Sequence, residues 1–273
     1  MKRRRAIALL LAVCALVVLV YAWQIEPRRL TITKIAMPAP LAEALAGERV
    51  VYVADLHVTP RWPIRKRFLA TLRTLDPDYL IIGGDLVWYE GNVDASVDLL
   101  KQLPARKGAY AVLGDADYQG KIRNCAFCHV PGKRELRTDL PVTFLRNEAV
   151  TLAAGAVELV GLDADKRHEW KPTCEKFLPA DKPSLVLTHY PEALRLIAPR
   201  GADLVLGADT HGGQILAPRG LFRWVFNSDR AQYLYGWFDD GGTRMFVTRG
   251  IGESILPLRL GRPPEIVLLE GER

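Results

Sequence analysis

The 273-residue chain has no low-complexity tract and no internal repeat, which excludes a solenoid, a propeller-like array and a disordered arm. Charge of one sign is scarce outside a single patch. The formal net charge is +6, and Lys2, Arg3, Arg4 and Arg5 carry four of it, leaving +2 for the rest. A folded part so near neutrality lacks the basic footprint that nucleic acid requires, so no nucleic-acid partner is expected. A small-x-small cleavage site is also missing before "QIEPRR", which argues against a removed signal peptide. "LAVC", ending at Cys14, resembles a lipoprotein box, but Val13 is bulky where a small residue belongs.

What is present begins with "MKRRR" followed by an uncharged apolar run from Ala6 to Trp23. Its length of about 18 residues is enough to span a bilayer as a helix, with an aromatic residue at its end. Residues 1–23 are therefore read as a transmembrane or signal-anchor segment, with Cys14 inside it. Residues 24–46 follow as a connecting arm with one possible edge strand, and residues 47–273 as the catalytic domain. The basic end favours a cytoplasmic N-terminus and a domain on the outer face, whereas Arg28 and Arg29 pull the other way. A single N-terminal anchor in the cytoplasmic (inner) membrane is expected, with the side of the domain left open.

From Arg49 onward, short aliphatic runs alternate with segments of helical period. The runs are "RVVYVAD", "DYLIIGGD", "GAYAVLGD", "AVELVGLD", "SLVLTH" and "ADLVLGADTH". Near-continuous apolar strands suit a sheet covered on both faces. Ile64, Phe68, Leu72 and Leu75 make one helix face, Val93, Val97 and Leu100 another, and Leu194 with Ile197 a shorter one. "YLYGWFDDGGTRMFVTRGIG" reads as strand, turn, strand. A mostly parallel α/β architecture with an antiparallel portion, in two packed sheets, is expected.

Each run ends in or near Asp or His. Loops at the carboxyl ends of strands gather into one crevice, so the chain should deliver Asp55, His57, Asp85, Asp115, His189, Asp209 and His211 to one place. Asp163 should approach the same edge. So many carboxylates and imidazoles would repel and resist desolvation unless cations held them together. Mixed oxygen and nitrogen donors suit two divalent ions such as Mn, Fe, Zn or Mg.

Asp55-Leu56-His57, Gly83-Gly84-Asp85, Gly114 to Asp117, "THYP" with His189 and "ADTHGGQ" resemble, in order, the blocks of the calcineurin-like metallophosphoesterases. The resemblance implies a four-layer α/β-β-α sandwich. It implies one metal on Asp55, His57 and His211, a second on Asp115, His189 and Asp209, and Asp85 between them. The tail "FVTRGIGESILPLRLGRPPEI" and the anchor are similar to a membrane-associated subgroup that includes UDP-2,3-diacylglucosamine pyrophosphatases of lipid A synthesis.

Three departures from the family pattern matter. Asp115 stands where an asparagine is usual, and Asp209 where a histidine is usual. Both still offer oxygen, giving a harder second site that favours Mg or Mn over Zn. Ala116 stands where the family usually has a histidine that helps the transition state or protonates the leaving group, and a methyl group cannot do either. Losing a general acid costs about 10²–10⁴-fold for a poor leaving group. A phosphate leaving from a pyrophosphate needs little protonation. The implied activity is thus hydrolysis of a pyrophosphate bond in a nucleotide- or lipid-linked substrate such as UDP-2,3-diacylglucosamine, by metal-hydroxide attack. Two alternatives stand beside it: a phosphodiesterase acting on other phosphoesters or phospholipid head groups, and an inactive metal- or haem-binding protein.

Three further signals remain. In "NCAFCH", Cys125, Cys128 and His129 have the spacing of c-type haem attachment. With Cys174 they would also make a structural zinc site or a disulfide staple. In "RWPIRKR", Arg61 is a candidate phosphate contact, while Lys66 and Arg67 suit a solvated helix face. "LFRWVF", Leu221 to Phe226, is either a buried strand or a lip for acyl chains.

Overall fold

Aliphatic runs separated by amphipathic segments fold here into two sheets, each faced by helices on its outer side. The computed structural model describes residues 2–88, 93–118, 125–127, 138–178, 181–217, 232–254 and 256–271. The chain begins with α1 (Lys2–Val20), β1 (Thr31–Met37), α2 (Ala39–Ala44) and β2 (Val50–Val53). It continues with α3 (Arg65–Leu75), β3 (Tyr79–Ile82), α4 (Val93–Leu100), β4 (Gly108–Ala111), β5 (Thr143–Phe144) and β6 (Glu148–Leu152). Then come β7 (Val157–Leu162), α5 (Trp170–Phe177), β8 (Ser184–Thr188), α6 (Leu194–Ile197) and β9 (Leu204–Gly207). The hairpin β10 (Gly236–Asp240) and β11 (Thr243–Val247), then β12 (Glu265–Gly271), complete it.

Among the described residues, the first sheet runs β1-β12-β2-β3-β4-β5 and the second β10-β11-β9-β8-β7-β6. β2, β3, β4 and β5 are parallel, as are β7, β8, β9 and β11. Antiparallel pairs occur where β12 meets β2, where β6 meets β7 and in the β10–β11 hairpin. The segment expected to supply an edge strand does so as β1, parallel to β12.

Strand alternation divides the core. Val51, Val53, Leu80 and Ile82 pack with Phe68, Leu72 and Leu100 of α3 and α4. Val50, Tyr52, Tyr79 and Ile81 turn the other way and meet Leu159, Leu185, Leu204 and Leu206 between the sheets. Val160, Val186 and Val205 pack with Trp170, Cys174, Leu194 and Ile197 of α5 and α6. The order helix, sheet, sheet, helix follows from period-2 strands whose two faces are both apolar. α5 has no clear forecast in the sequence because Pro172 interrupts its pattern. Proline in the first turn, however, lacks only an amide with no helical partner to lose.

Beyond Arg5, α1 is apolar all round, and none of its residues is buried. Its nineteen residues rise about 28 Å, close to a hydrocarbon core of about 30 Å, so it is long and apolar enough to cross a membrane. The helix then changes pitch. The Glu26 amide bonds to the Tyr21 carbonyl, an i→i+5 turn, and a 3₁₀ turn follows over Glu26–Arg28.

Candidate metal centre

Five loops that follow β2, β3, β4, β8 and β9 converge at the carboxyl ends of the parallel strands of both sheets. Backbone bonds join them before any side chain is considered. The Asp55 amide donates to Gly84 O at 3.0 Å, His57 N–H to Asp85 O at 2.9 Å and Val58 N–H to Leu86 O at 3.0 Å. The buried Asp117 carboxylate accepts from the Leu86, Val87 and Gly114 amides at 2.9, 3.1 and 3.0 Å, so it clamps the β3 loop to the β4 loop. Gly84 is required here. Its φ is +91°, and a Cβ would fall 2.6 Å from the Gly114 nitrogen.

Backbone strain marks the same place. Ten described non-glycine residues have positive φ, and Asp55, His57, Asp85, Asp209 and His211 are five of them. Left-handed backbone costs such residues about 1–2 kcal/mol each, and such conformations cluster where surrounding structure enforces them for function. The loop bonds above and the bond from Asp209 N–H to Asp55 Oδ1, 3.2 Å, supply that enforcement.

The side chains then meet. Asp85 Oδ2 lies 3.3 Å from His57 Nε2, and His57 Nε2 faces His211 Nε2 at 3.2 Å. Asp85 Oδ1 lies 3.5 Å from His189 Nε2 and accepts from the Ala116 amide at 2.9 Å. Asp85 thus offers one oxygen to each half of the cluster. Two sets have ligand atoms close enough to share an ion, Asp55 with Asp85 and His189, and Asp115 with His189 and Asp209. His189 belongs to both, so Asp55 stands nearer to it than the family pattern implies, at 3.8 Å.

The tautomers follow from the partners. His189 Nδ1–H donates to Gly83 O at 2.9 Å, and His211 Nδ1–H to Gly252 O at 3.2 Å. Each therefore turns its Nε2 inward, the nitrogen that a metal-binding imidazole presents once it is deprotonated. The Gly252 carbonyl also accepts from the fully buried Arg259, whose other guanidinium bonds go to the Arg249 and Arg262 carbonyls.

In this cluster, the buried Asp55 Oδ2 and His189 Nε2 find no hydrogen-bond partner among the described residues. A buried carboxylate oxygen and a buried imidazole nitrogen left without partners are costly unless a cation satisfies them, and oxygen with imidazole donors fit a divalent ion. The titration behaviour agrees. Burial pushes Asp55 up to about 7 and lifts Asp85 well above the carboxylate range. Burial lowers His57 to about 3 and holds His211 well below its ordinary value, whereas for His189 four surrounding carboxylates overcome burial and raise it. A group whose pKa is raised keeps its proton until a cation displaces it. We therefore expect divalent-metal binding below pH 7 to release protons, with affinity falling as pH drops. Calorimetry in two buffers of different ionisation enthalpy reads the number, and zero release would contradict this assignment.

The other expected residues distribute differently. Asp163 is taken up by Tyr118 Oη, at 2.7 and 2.8 Å, and by Arg146 Nε at 2.5 Å, rather than by the cluster. Arg61 is exposed, and Lys66 and Arg67 are exposed on α3. Cys125 is disulfide-bonded and packs in the core beneath α3, while Cys174 is a free thiol in the core beneath α5. The two belong to different layers, so the expected four-residue zinc site does not form, nor does a staple to Cys174. Haem attachment would need Cys125 as a thioether. Cys128, His129 and Leu221 to Phe226 lie outside the described residues. The sequence reading passed over Asp117, whose signal was its place two residues after Asp115.

Residues 48–213 match the family described as calcineurin-like phosphoesterase. The chain is 29% identical over 229 residues to "Phosphodiesterase YaeI" of Escherichia coli strain K12, covering 81% of each. It is 26% identical over 318 residues to "UDP-2,3-diacylglucosamine pyrophosphatase LpxG" of Chlamydia muridarum, covering 95% of each. It is 28% identical over 261 residues to "Transmembrane protein with metallophosphoesterase domain" of Bos taurus, covering 87% of this chain and 56% of that one. With the blocks, the two-sheet fold and the matched family in agreement, the chain belongs to the calcineurin-like phosphoesterases and is a hydrolase.

Proposed function

We propose that the chain hydrolyses the pyrophosphate bond of a lipid-linked substrate, of the kind represented by UDP-2,3-diacylglucosamine, at the membrane surface. The observation that carries the reading is Asp85, whose Oδ2 lies beside His57 and whose Oδ1 lies beside His189. Asp55, His57 and His211 with Asp85 would hold one divalent ion, and Asp115, His189 and Asp209 with Asp85 the other. When bound, the ions supply Lewis-acid polarisation of the phosphoryl oxygens and water activation at neutral pH. The extra carboxylates Asp115 and Asp209 favour Mg or Mn.

The residues themselves do the positioning. Asp85 and Asp117 fix the spacing of two loops, and the Gly83 and Gly252 carbonyls fix two imidazole planes. No side chain at position 116 can donate a proton, which selects leaving groups that need none. The pyrophosphatase relative, matched over 95% of both chains, supports the same choice.

The chain is proposed to sit in the cytoplasmic membrane through α1, with residues 47–273 on the outer face. Two observations support that side: Lys2 to Arg5 precede the span, and Cys125 is disulfide-bonded, which is rare in reducing cytosol. External protease added to intact spheroplasts should digest the domain, and protection until lysis would reverse the orientation.

The test of activity uses the full chain in mixed micelles, stripped of metal and reloaded with Mn or Mg. UDP-2,3-diacylglucosamine and bis-(p-nitrophenyl) phosphate would be compared. Metal-dependent turnover of the pyrophosphate is expected. Turnover of the aryl diester alone would favour a phosphodiesterase, and turnover of neither at full metal occupancy would overturn the proposal.

A further inference from the structure

A cavity of about 230 Å³ lies between the end of the membrane helix and the metal centre. His57 stands at its inner end, and the Trp88 indole meets the His57 ring edge-on, with centroids 5.8 Å apart. Trp62, from the loop after β2, forms another wall, and Pro257 another. The remaining wall comes from the anchor itself, through Trp23, Pro27 and Arg28.

That wall is fixed to the domain rather than tethered. The Ala22 carbonyl accepts from the Arg259 amide at 2.9 Å, and the Arg28 carbonyl from Arg67 Nη1 at 3.0 Å. Ala22, Glu26 and Pro27 are buried against the domain, while Trp23 and Ile25 stay exposed. The i→i+5 turn at Tyr21 makes this possible. It resets the register so that one side of the helix docks while the apolar sheath of α1 continues outward into lipid.

We propose that the last turns of the anchor are part of the substrate pocket, with Trp23, Trp62 and Trp88 holding the hydrocarbon next to the phosphates of a membrane lipid. The phosphate end of this assignment rests on the function proposed above. Size and surroundings specify the occupant. A volume of about 230 Å³ is below the range of about 300–1,000 Å³ for sites enclosing a drug-sized ligand. It therefore holds only the part of a molecule nearest the metal centre. The rest must leave along α1, whose exposed surface is apolar and lies in the bilayer, so the molecule is an amphiphile with its phosphate beside its acyl chain. Glu253 also lines the cavity, and burial raises its carboxyl above the ordinary range, with Arg28 acting against that. Burial thus works against charge on this wall, which keeps it compatible with hydrocarbon. The anchor then sets which lipids reach the site, beyond holding the enzyme at the membrane.

The test uses the full chain in phosphatidylcholine vesicles with a phosphatidic acid probe carrying a diazirine near the glycerol end of its acyl chain. After irradiation, label is expected on peptides containing Trp62 and Trp88 as well as on α1. Trp23→Ala should cut the label at Trp62 and Trp88 about tenfold. Ile25→Ala, on the same turn but outside the cavity, should keep it. Trp23 is about half exposed, so its loss does not threaten folding. In parallel, Trp23→Ala should raise KM for UDP-2,3-diacylglucosamine about tenfold with little change in kcat, the sign of lost ground-state binding. Label confined to α1, or full label at Trp62 and Trp88 in Trp23→Ala, would overturn the inference. Label in the cavity without turnover would uphold the lipid pocket and overturn the hydrolytic reading instead.

Discussion

Asp85→Ala is expected to lower turnover by about 10³-fold or more while leaving the metal-free fold intact. The two ions of such a site together stabilise the attacking and leaving oxygens, an effect of several kcal/mol. At about 1.4 kcal/mol per tenfold, losing the residue between them removes about three decades of rate. The geometry explains why no neighbour can substitute. Asp85 Oδ2 is 3.3 Å from His57 Nε2, and Oδ1 is 3.5 Å from His189 Nε2. The fold should survive because the carboxylate is itself a burden without metal. Burial lifts its pKa well above the ordinary range, with Asp115, Asp117 and Asp55 adding to the rise, so alanine removes a desolvated and crowded charge. The cost is one orphaned amide, at Ala116, of about 1–3 kcal/mol. Three measurements decide it: kcat, bound metal by elemental analysis and the Tm of the stripped protein. Activity within tenfold of wild type would remove Asp85 from the centre. A collapse of the metal-free Tm would make its role structural.

The layers of the fold were legible because strand alternation and helical periodicity are local signals of burial. "RVVYVAD" places Val51 and Val53 on one face and Val50 and Tyr52 on the other, and both faces are covered as an uninterrupted apolar run requires. The assembly of Asp55, His57, Asp85, Asp115, His189, Asp209 and His211 was legible for a topological reason. Parallel strands deliver their carboxyl ends to one edge, and here two sheets share that edge. Asp163 shows where the rule stops. It too follows a parallel strand, yet Tyr118 and Arg146 reach it first, and a strand end cannot announce its neighbours. The cavity was illegible for the same cause. It joins Trp23, Pro27, His57, Trp62, Trp88 and Pro257, residues brought together only by tertiary packing. The cysteine spacing misled because Cys125 and Cys174 point into cores on opposite faces of the sandwich.

The second large effect lies in the leaving group. Ala116 is fully buried, and its amide is already engaged with Asp85 Oδ1 at 2.9 Å. Its methyl group leaves the departing oxygen without a donor from this position. Rate should then depend on how well that oxygen bears charge unaided. Between pyrophosphate or nitrophenyl leaving groups and a simple alkyl alcohol, kcat/KM should fall by about 10²–10⁴-fold, the usual contribution of a general acid. A series of phosphodiesters with leaving groups of rising pKa measures the slope. Alkyl and aryl esters cleaved within tenfold of each other would mean that another side chain protonates the oxygen, and the preference for pyrophosphates would lose its basis. Ala116→His is not a simple restoration. The site has no exposed surface at this residue, and forcing an imidazole into it costs about 1–3 kcal/mol in displaced neighbours. Displacement there would fall on the loop that the Asp117 carboxylate clamps to the β3 loop. A variant that gained alkyl-ester activity would therefore have to gain it against a loosened centre, so its pyrophosphatase activity should drop in the same protein.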